Sequence, residues 1–532
     1  MSGRSRTTGQ LVLCLCLGLL WLFAGTACTA RGDQPVTLRV LADSELQDMK
    51  PLLDELRRDT GITLEMDHRG TDDVARALAG THHEHDLAWL SSDRPLQLRL
   101  KAAGVHTESP LATSIMRSPV AIGLKRAAAD RLRLRTPDGR ISWADVADAA
   151  ADGSLTFGMA DPRHTDSGLA ALVGVATAAA GTGSALRPED VSCERLRGFF
   201  TGRLLTENSP AALADGFVRR QVELDALVTY ESELLALNAG GRLREPLEIV
   251  HPEDGMVLAD YPLLLLDPAK RAAYDRLVAW LKSGPVQKKI MERTLRRPVD
   301  PAVPRIESLR PPIGNALYFP DRQEVLDRLL ADYGKAEGAP PARVFFVLDF
   351  STSMAGERIA ALRATFAGLS GADDSRSGKF LRFHRGESFT VIRFAGRVLD
   401  ERTITYRTQA DLDLLRQAVA SDDLAEDTAV WSALDHAYGR AAELVGDFPG
   451  QSASVVLMTD GENNAGTGLD AFLDRYRALP PAARAVHTYT VRYGDADPRE
   501  LDRAARATGG RMVDATAQSL LNAFKETRGC TE

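Results

Sequence analysis

Val344 to Met354 reads VFFVLDFSTSM, and this stretch restricts the fold more tightly than any other. Five consecutive apolar residues, Val344 to Leu348, suit a strand buried on both faces, as parallel sheets require. Asp349, Ser351 and Ser353 then follow at alternate positions. Alternate residues of an extended chain project to one side, so one carboxylate and two hydroxyls can converge beyond the strand's C-terminal end. Open α/β sheets bind their ligands at such ends. Three small, hard oxygens suit a hard cation, Mg2+ or Mn2+. Taken alone, D-x-S-x-S also fits helix caps and turns.

Two later stretches supply partners. SVVLMTDGENN holds a second apolar strand, Val455 to Met458, followed by Thr459 and Asp460 before Gly461. In EDTAVWSALDHAY, Thr428 opens an amphipathic helix. Together these stretches resemble the metal-ion-dependent adhesion site of von Willebrand factor A domains. The resemblance implies a metal site of Asp349, Ser351, Ser353, Thr428 and Asp460. It also implies a doubly wound, Rossmann-like domain over residues 342–526, Mg2+ or Mn2+ as cofactor, and a protein partner gripped through the metal. The family often has glycines before the threonine. Glu426 and Asp427 stand there instead, and are expected to narrow the pocket or add negative charge.

A chain of 532 residues exceeds one hydrophobic core, so two or three domains are expected. With 44% hydrophobic and 26% charged residues, wholesale disorder is excluded. The net charge of -8 gives no electrostatic footprint for nucleic acid.

The N-terminus reads as a targeting segment. Arg4 and Arg6 precede an apolar run from Leu11 to Ala24, short for a membrane span and suited to a signal peptide. Gly25, Thr26, Ala27 and Cys28 resemble the end of a bacterial lipoprotein signal. This resemblance implies removal of residues 1–27, lipidation of Cys28, and a tether over residues 28–35. The chain would then sit on the extracytoplasmic face of the cell membrane, held by lipid. Gly25 occupies the place of the usual large aliphatic residue, so plain secretion stands as the alternative. Cys14 and Cys16 leave with the signal, and Cys28 goes to lipid. Cys193 and Cys530 remain, in a compartment where thiols oxidise, and a disulfide between them is expected. A buried, inert Cys193 with a free or intermolecular Cys530 is the other reading.

From Val36 strands and helices alternate, which argues for parallel sheets with crossover helices. The order, with DPRHTDSGLAAL, LVTYES and YPLLLLD, resembles extracellular solute-binding proteins of the two-lobed periplasmic type. The resemblance covers residues 36–305 and implies a cleft lined by loops that follow strands. Ser44, Ser91, Ser92, Ser118, Ser167, Gly168 and Tyr230 are the candidate contacts. Ser44 and Ser167 fall at expected helix starts, where free N–H groups attract anions. Gly168 would let backbone approach a ligand, and Tyr230 offers a hydroxyl at an apolar strand end. Serines at helix starts also serve simply as caps. An anionic or polar solute is the expectation. His82, His83, Glu84 and His85 lie in an expected loop without metal-site spacing, and read as a surface turn.

Residues 306–341 are rich in proline and read as an extended linker with one short helix, Arg322 to Tyr333. No nucleophile elbow, P-loop or zinc-protease motif occurs, so no enzyme is expected. The reading is a membrane-anchored, extracytoplasmic binding protein. It grips a protein partner through a divalent metal and takes a small solute in its N-terminal lobe. The alternative is the substrate-binding component of an ABC-type transporter with an accessory A domain.

Overall fold

The computed structural model describes residues 35–70, 74, 77, 78, 84–102, 104, 110–337, 340–445, 452–516 and 520. The signal segment, Cys28, His82, His83 and Cys530 lie outside the described residues.

Three sheets organise the chain, and each strand's composition explains its place. The first sheet runs in the order β2 (Ile62–Arg69), β1 (Val36–Asp43), β3 (Leu87–Trp89), β11 (Pro262–Leu265), β4 (Leu111–Ser114). The second has β10 (Leu258–Ala259), β5 (Met116–Leu124), β8 (Ala226–Tyr230), β6 (Phe157–Ala160) and β7 (Arg203–Glu207) in line. Two short strands, β9 (Glu248–Val250) and β12 (Arg297–Pro298), also pair with β5. The chain thus crosses between the two lobes three times, between β4 and β5, between β10 and β11, and between β11 and β12. The run MVLADYPLLLLD looks like one strand by composition. Tyr261, at φ 44, breaks it into β10 and β11, which belong to different lobes.

The third sheet is ordered β15 (Val398–Thr405), β14 (Ser388–Phe394), β13 (Arg343–Asp349), β16 (Ala453–Thr459), β17 (His487–Arg492), β18 (Met512–Asp514). All neighbours are parallel except the hairpin partner β15. Every residue of β13 is buried, as its unbroken apolar run requires. The strand order reverses between β13 and β16, the switch point where doubly wound sheets leave a crevice. Leu348 pairs with Met458, so the ends of the two strands lie level.

Two expectations are corrected here. The helix expected to start at Ser44 begins as a 3-10 turn, Ser44–Met49, and turns α-helical only at Lys50–Thr60. Pro51 has no N–H to donate and is tolerated only in a helix's first turn, which fixes the start. The proline-rich connector is no free spacer. Its helix, Gln323–Ala336, buries Val325, Leu326, Leu329, Tyr333 and Ala336 in the core of the two-lobed domain. It packs on Arg94–Ala102 beside the first sheet and on Cys193–Thr201 beside the second.

The C-terminal domain is joined to that body rather than tethered to it. Phe380 enters the core of the two-lobed domain. Beside it, Lys379 Nζ meets buried Asp145 Oδ1 at 2.5 Å. Arg382 Nη1 meets Asp148 Oδ1 at 2.5 Å, and Arg385 N–H donates to the Ala151 carbonyl at 2.8 Å. Cys193, 7% exposed, is disulfide-bonded.

Candidate metal centre and solute cleft

The strand ends of β13 and β16 bring together the residues that the sequence pattern singled out. Asp349 Oδ1 accepts from the Ser351 N–H at 2.8 Å, and its Oδ2 accepts from the Thr459 hydroxyl at 2.6 Å. The Ser351 and Ser353 hydroxyls lie 2.8 Å apart, and Ser353 Oγ donates to Asp460 Oδ1 at 2.8 Å. A continuous chain of hydrogen bonds therefore links both carboxylates through both serines.

Thr428 comes from a separate loop, and Asn464 places it. Its N–H donates to Asn464 Oδ1 at 2.7 Å, and its carbonyl accepts from the Asn464 N–H at 3.0 Å. A methyl group built at Gly461 would lie 3.6 Å from Thr428 Oγ1 and 3.7 Å from Ser353 Oγ. Those two hydroxyls thus converge on one small space beside Gly461. Asn463 accepts from the Trp431 N–H at 3.3 Å and steadies the helix that follows Thr428. Neither asparagine was singled out from sequence, although both stand in the quoted DGENN.

Burial, with a smaller push from Asp460, raises the Asp349 carboxyl to about 6. Arg358, on the helix Glu357–Ala367, reaches back to the site. Its Nη1 donates to Asp460 Oδ2 at 2.5 Å and its Nη2 to exposed Asp495 at 3.3 Å. The donor set of hydroxyls and carboxylates is hard oxygen throughout and fits Mg2+ or Mn2+. Glu426 and Asp427 do not narrow the site: both are exposed. Asp427 adopts φ 64, the left-handed region in which glycine is free of strain.

The cleft of the two-lobed domain departs further from expectation. One cavity is lined by Asp43, Ser44, Glu45, Ser91, Asp166 and Asn208, among others. A neighbouring one adds Ser92, Tyr230 and Phe319. Ser44, Ser91, Ser92 and Tyr230 therefore do lie at the cleft. Ser91 N–H donates to Asp43 Oδ2 at 2.5 Å, and its hydroxyl donates across the lobes to Asp166. Of the other three candidates, Ser118 and Gly168 have structural work. Ser118 Oγ accepts from the Ser232 N–H at 3.1 Å and holds the start of the helix Glu231–Ala239. Gly168 packs so close that a methyl there would meet the Ala160 carbonyl at 2.4 Å. Ser167 is 1% exposed and absent from both cavity walls.

The cleft's charge is carried by residues the sequence reading missed. Burial raises Glu45 well above the usual carboxylate range, and Glu233, Asp43 and Asp166 push it further. Burial lifts Glu233 to about 7. Arg296 is the cation facing them. Its Nη1 meets Asp48 at 2.5 Å, and the guanidinium lies 4.7 Å over the Tyr261 ring. Below the cleft, Arg297 makes a buried bidentate pair with Glu231 at 2.6 and 2.7 Å, and His251 adds a contact at 2.8 Å.

Residues 38–293 match the model of the bacterial extracellular solute-binding protein family. Residues 344–526 match the von Willebrand factor type A domain. The chain joins an extracellular solute-binding domain to a von Willebrand factor type A domain. No curated protein matches the chain. Among solved structures, a putative extracellular solute-binding protein from Bordetella parapertussis is 13% identical, with a TM-score of 0.43, over 56% of this chain and 98% of that one. The substrate-binding protein of an ABC transporter from Agrobacterium tumefaciens is 14% identical, with a TM-score of 0.42, over 58% and 95%. A periplasmic binding protein from Actinobacillus pleuropneumoniae, solved with fructose-6-phosphate, is 12% identical, with a TM-score of 0.42, over 56% and 97%. The solute-binding domain implies an extracytoplasmic location. Among the described residues no helix is long and apolar enough to cross a membrane.

Proposed function

We propose that this extracytoplasmic binding protein, lipid-anchored at Cys28, grips a protein partner through a divalent metal held in its A domain. The supporting observation is the hydrogen-bonded chain Asp349–Ser351–Ser353–Asp460, with the Thr428 hydroxyl converging beside Gly461. A bound Mg2+ or Mn2+ would supply an electrophilic centre able to take a carboxylate oxygen from the partner. Ser351, Ser353 and Thr428 would hold it through neutral hydroxyls, and Asp349 and Asp460 would orient those hydroxyls. Few anionic ligands leave a hard cation with exchangeable positions. Isothermal titration of the full chain with Mn2+ tests the reading. Wild type should bind, and Asp349→Ala should lose at least a hundred-fold in affinity. Equal heats from the two would reject the metal site.

The second reading concerns the solute. An anion is disfavoured, because Asp43, Glu45, Asp166 and Glu233 face one another from two lobes. A cationic solute, such as a polyamine, suits this cleft on electrostatic grounds. Tyr230, on the cavity wall, adds a face that attracts cations. Thermal unfolding at pH 8 decides the charge: spermidine should raise the melting temperature by mass action on the native state, and sulfate should not.

A further inference from the structure

The helix after the metal-site motif carries a cation that no part of the motif requires. Arg358 donates to Asp460 Oδ2 at 2.5 Å, while Ser353 donates to Asp460 Oδ1 at 2.8 Å. Asp460 is 1% exposed, so both of its oxygens are spoken for in a place that water scarcely enters. The arginine is not there by chance of a flexible side chain. Its guanidinium lies against Gly494, at φ 65, where a methyl group would come within 2.8 Å of its central carbon. Asp495 anchors the far side of the fork at 3.3 Å. A backbone shaped to seat the guanidinium, and two carboxylates to hold it, make Arg358 a fixed part of the site.

We infer that Arg358 is a specificity-determining residue of the metal site: a resident cation that keeps Asp460 from ligating the metal directly and so selects against Ca2+. The inference rests on the metal-binding reading above. Ca2+ takes six to eight oxygen ligands and gains from direct carboxylates, whereas Mg2+ and Mn2+ manage with fewer ligands and retained water. With Asp460 engaged by Arg358, the hydroxyls of Ser351, Ser353 and Thr428 remain as the direct donors. Freed from Arg358, Asp460 Oδ2 becomes a charged ligand on offer. The larger cation gains most from it.

Isothermal titration of the full chain with Ca2+ and with Mn2+ separates this from a structural role. The readout is the ratio of the two affinities, which a general loosening of the fold would not move. Arg358→Gln should raise the Ca2+ to Mn2+ affinity ratio about ten-fold over wild type, and Arg358→Lys should leave it within about two-fold. An unchanged ratio in Arg358→Gln overturns the inference while leaving the metal site standing. So does a rise in Arg358→Lys as large as in Arg358→Gln. If wild type and both variants bind neither ion, the metal reading and this inference fall together.

Discussion

The two sites treat buried carboxylates in opposite ways. At the metal centre each carboxylate is met by donors: Asp349 by the Ser351 N–H and the Thr459 hydroxyl, Asp460 by Ser353 and Arg358. In the cleft the carboxylates of one lobe face those of the other, and Glu45 is pushed up by Glu233, Asp43 and Asp166. A donor network can stand complete within one domain, because the strand ends, loops and helix that supply it belong to that domain. Facing carboxylates from two lobes carry a repulsion that only protons or a cation relieve. The first arrangement is a rigid seat, and the second is a gap whose closure depends on what enters it.

The comparison holds only if both sites ride on one body, and the junction at Phe380 is where to break it. Its ring is 1% exposed in the core of the two-lobed domain. Truncating a buried phenylalanine costs about 3–5 kcal/mol from lost transfer energy and an unfilled cavity. Phe380→Ala should therefore split calorimetric unfolding into two transitions, one for each domain. The neighbouring Lys379–Asp145 pair cannot carry the junction alone, since part of its attraction repays the desolvation of both charges. A single unsplit transition at the wild-type temperature would show that the domains are joined by something other than this contact.

The residues that converge at the candidate metal centre were legible in the sequence and those of the cleft were not, for a physical reason. Asp349, Ser351 and Ser353 sit at alternate positions of one strand, and strand alternation is local information. Asp43 and Asp166 lie far apart in the chain and meet only because the lobes close; beside Ser44 and Ser167, each looks like part of an ordinary helix cap. Arg358 was missed because a lone arginine on a helix has the look of a solvated face. The connector misled through its prolines. The spacing of Val325, Leu326, Leu329 and Tyr333 already marks one apolar helix face, which the proline count obscured.

A pH series sharpens the contrast between the sites. Burial raises Glu233 from 4.5 to about 7. Between those values the native state holds a proton that the unfolded chain has released. Its contribution to stability is thus fully present below pH 4.5 and is lost as pH rises through about 7. Glu233 is partly exposed, so solvent screening reduces the effect to about 1–2 kcal/mol. Urea unfolding at pH 5 and pH 8 should show wild type losing that much more stability than Glu233→Gln. Identical losses in the two proteins would mean that Glu233 is not buried away from water as the cleft geometry requires.

The smallest expected effect lies at Asp427, where the metal-site loop departs from its family. Two explanations compete for an acidic residue at that position. It could tune the metal through its charge, or it could simply tolerate a backbone that glycine would hold without strain. The geometry favours the second. Asp427 is exposed, its backbone stands at φ 64, and among the described residues only Tyr261 and Leu295 share a positive φ without being glycine. Aspartate enters the left-handed region at modest cost, because its short side chain can bond locally. Glycine would remove that cost, but would also enlarge the freedom of the unfolded chain, which offsets part of the gain. Asp427→Gly should therefore stabilise the A domain by only about 0.5 kcal/mol. The neighbouring peptide would be undisturbed, since the Glu426 carbonyl accepts from the Gly396 N–H at 3.1 Å whatever side chain follows. Mn2+ affinity should stay within about two-fold of wild type, because an exposed charge is screened by solvent and salt. A change of ten-fold or more at moderate ionic strength would return Asp427 to the site as an electrostatic contributor.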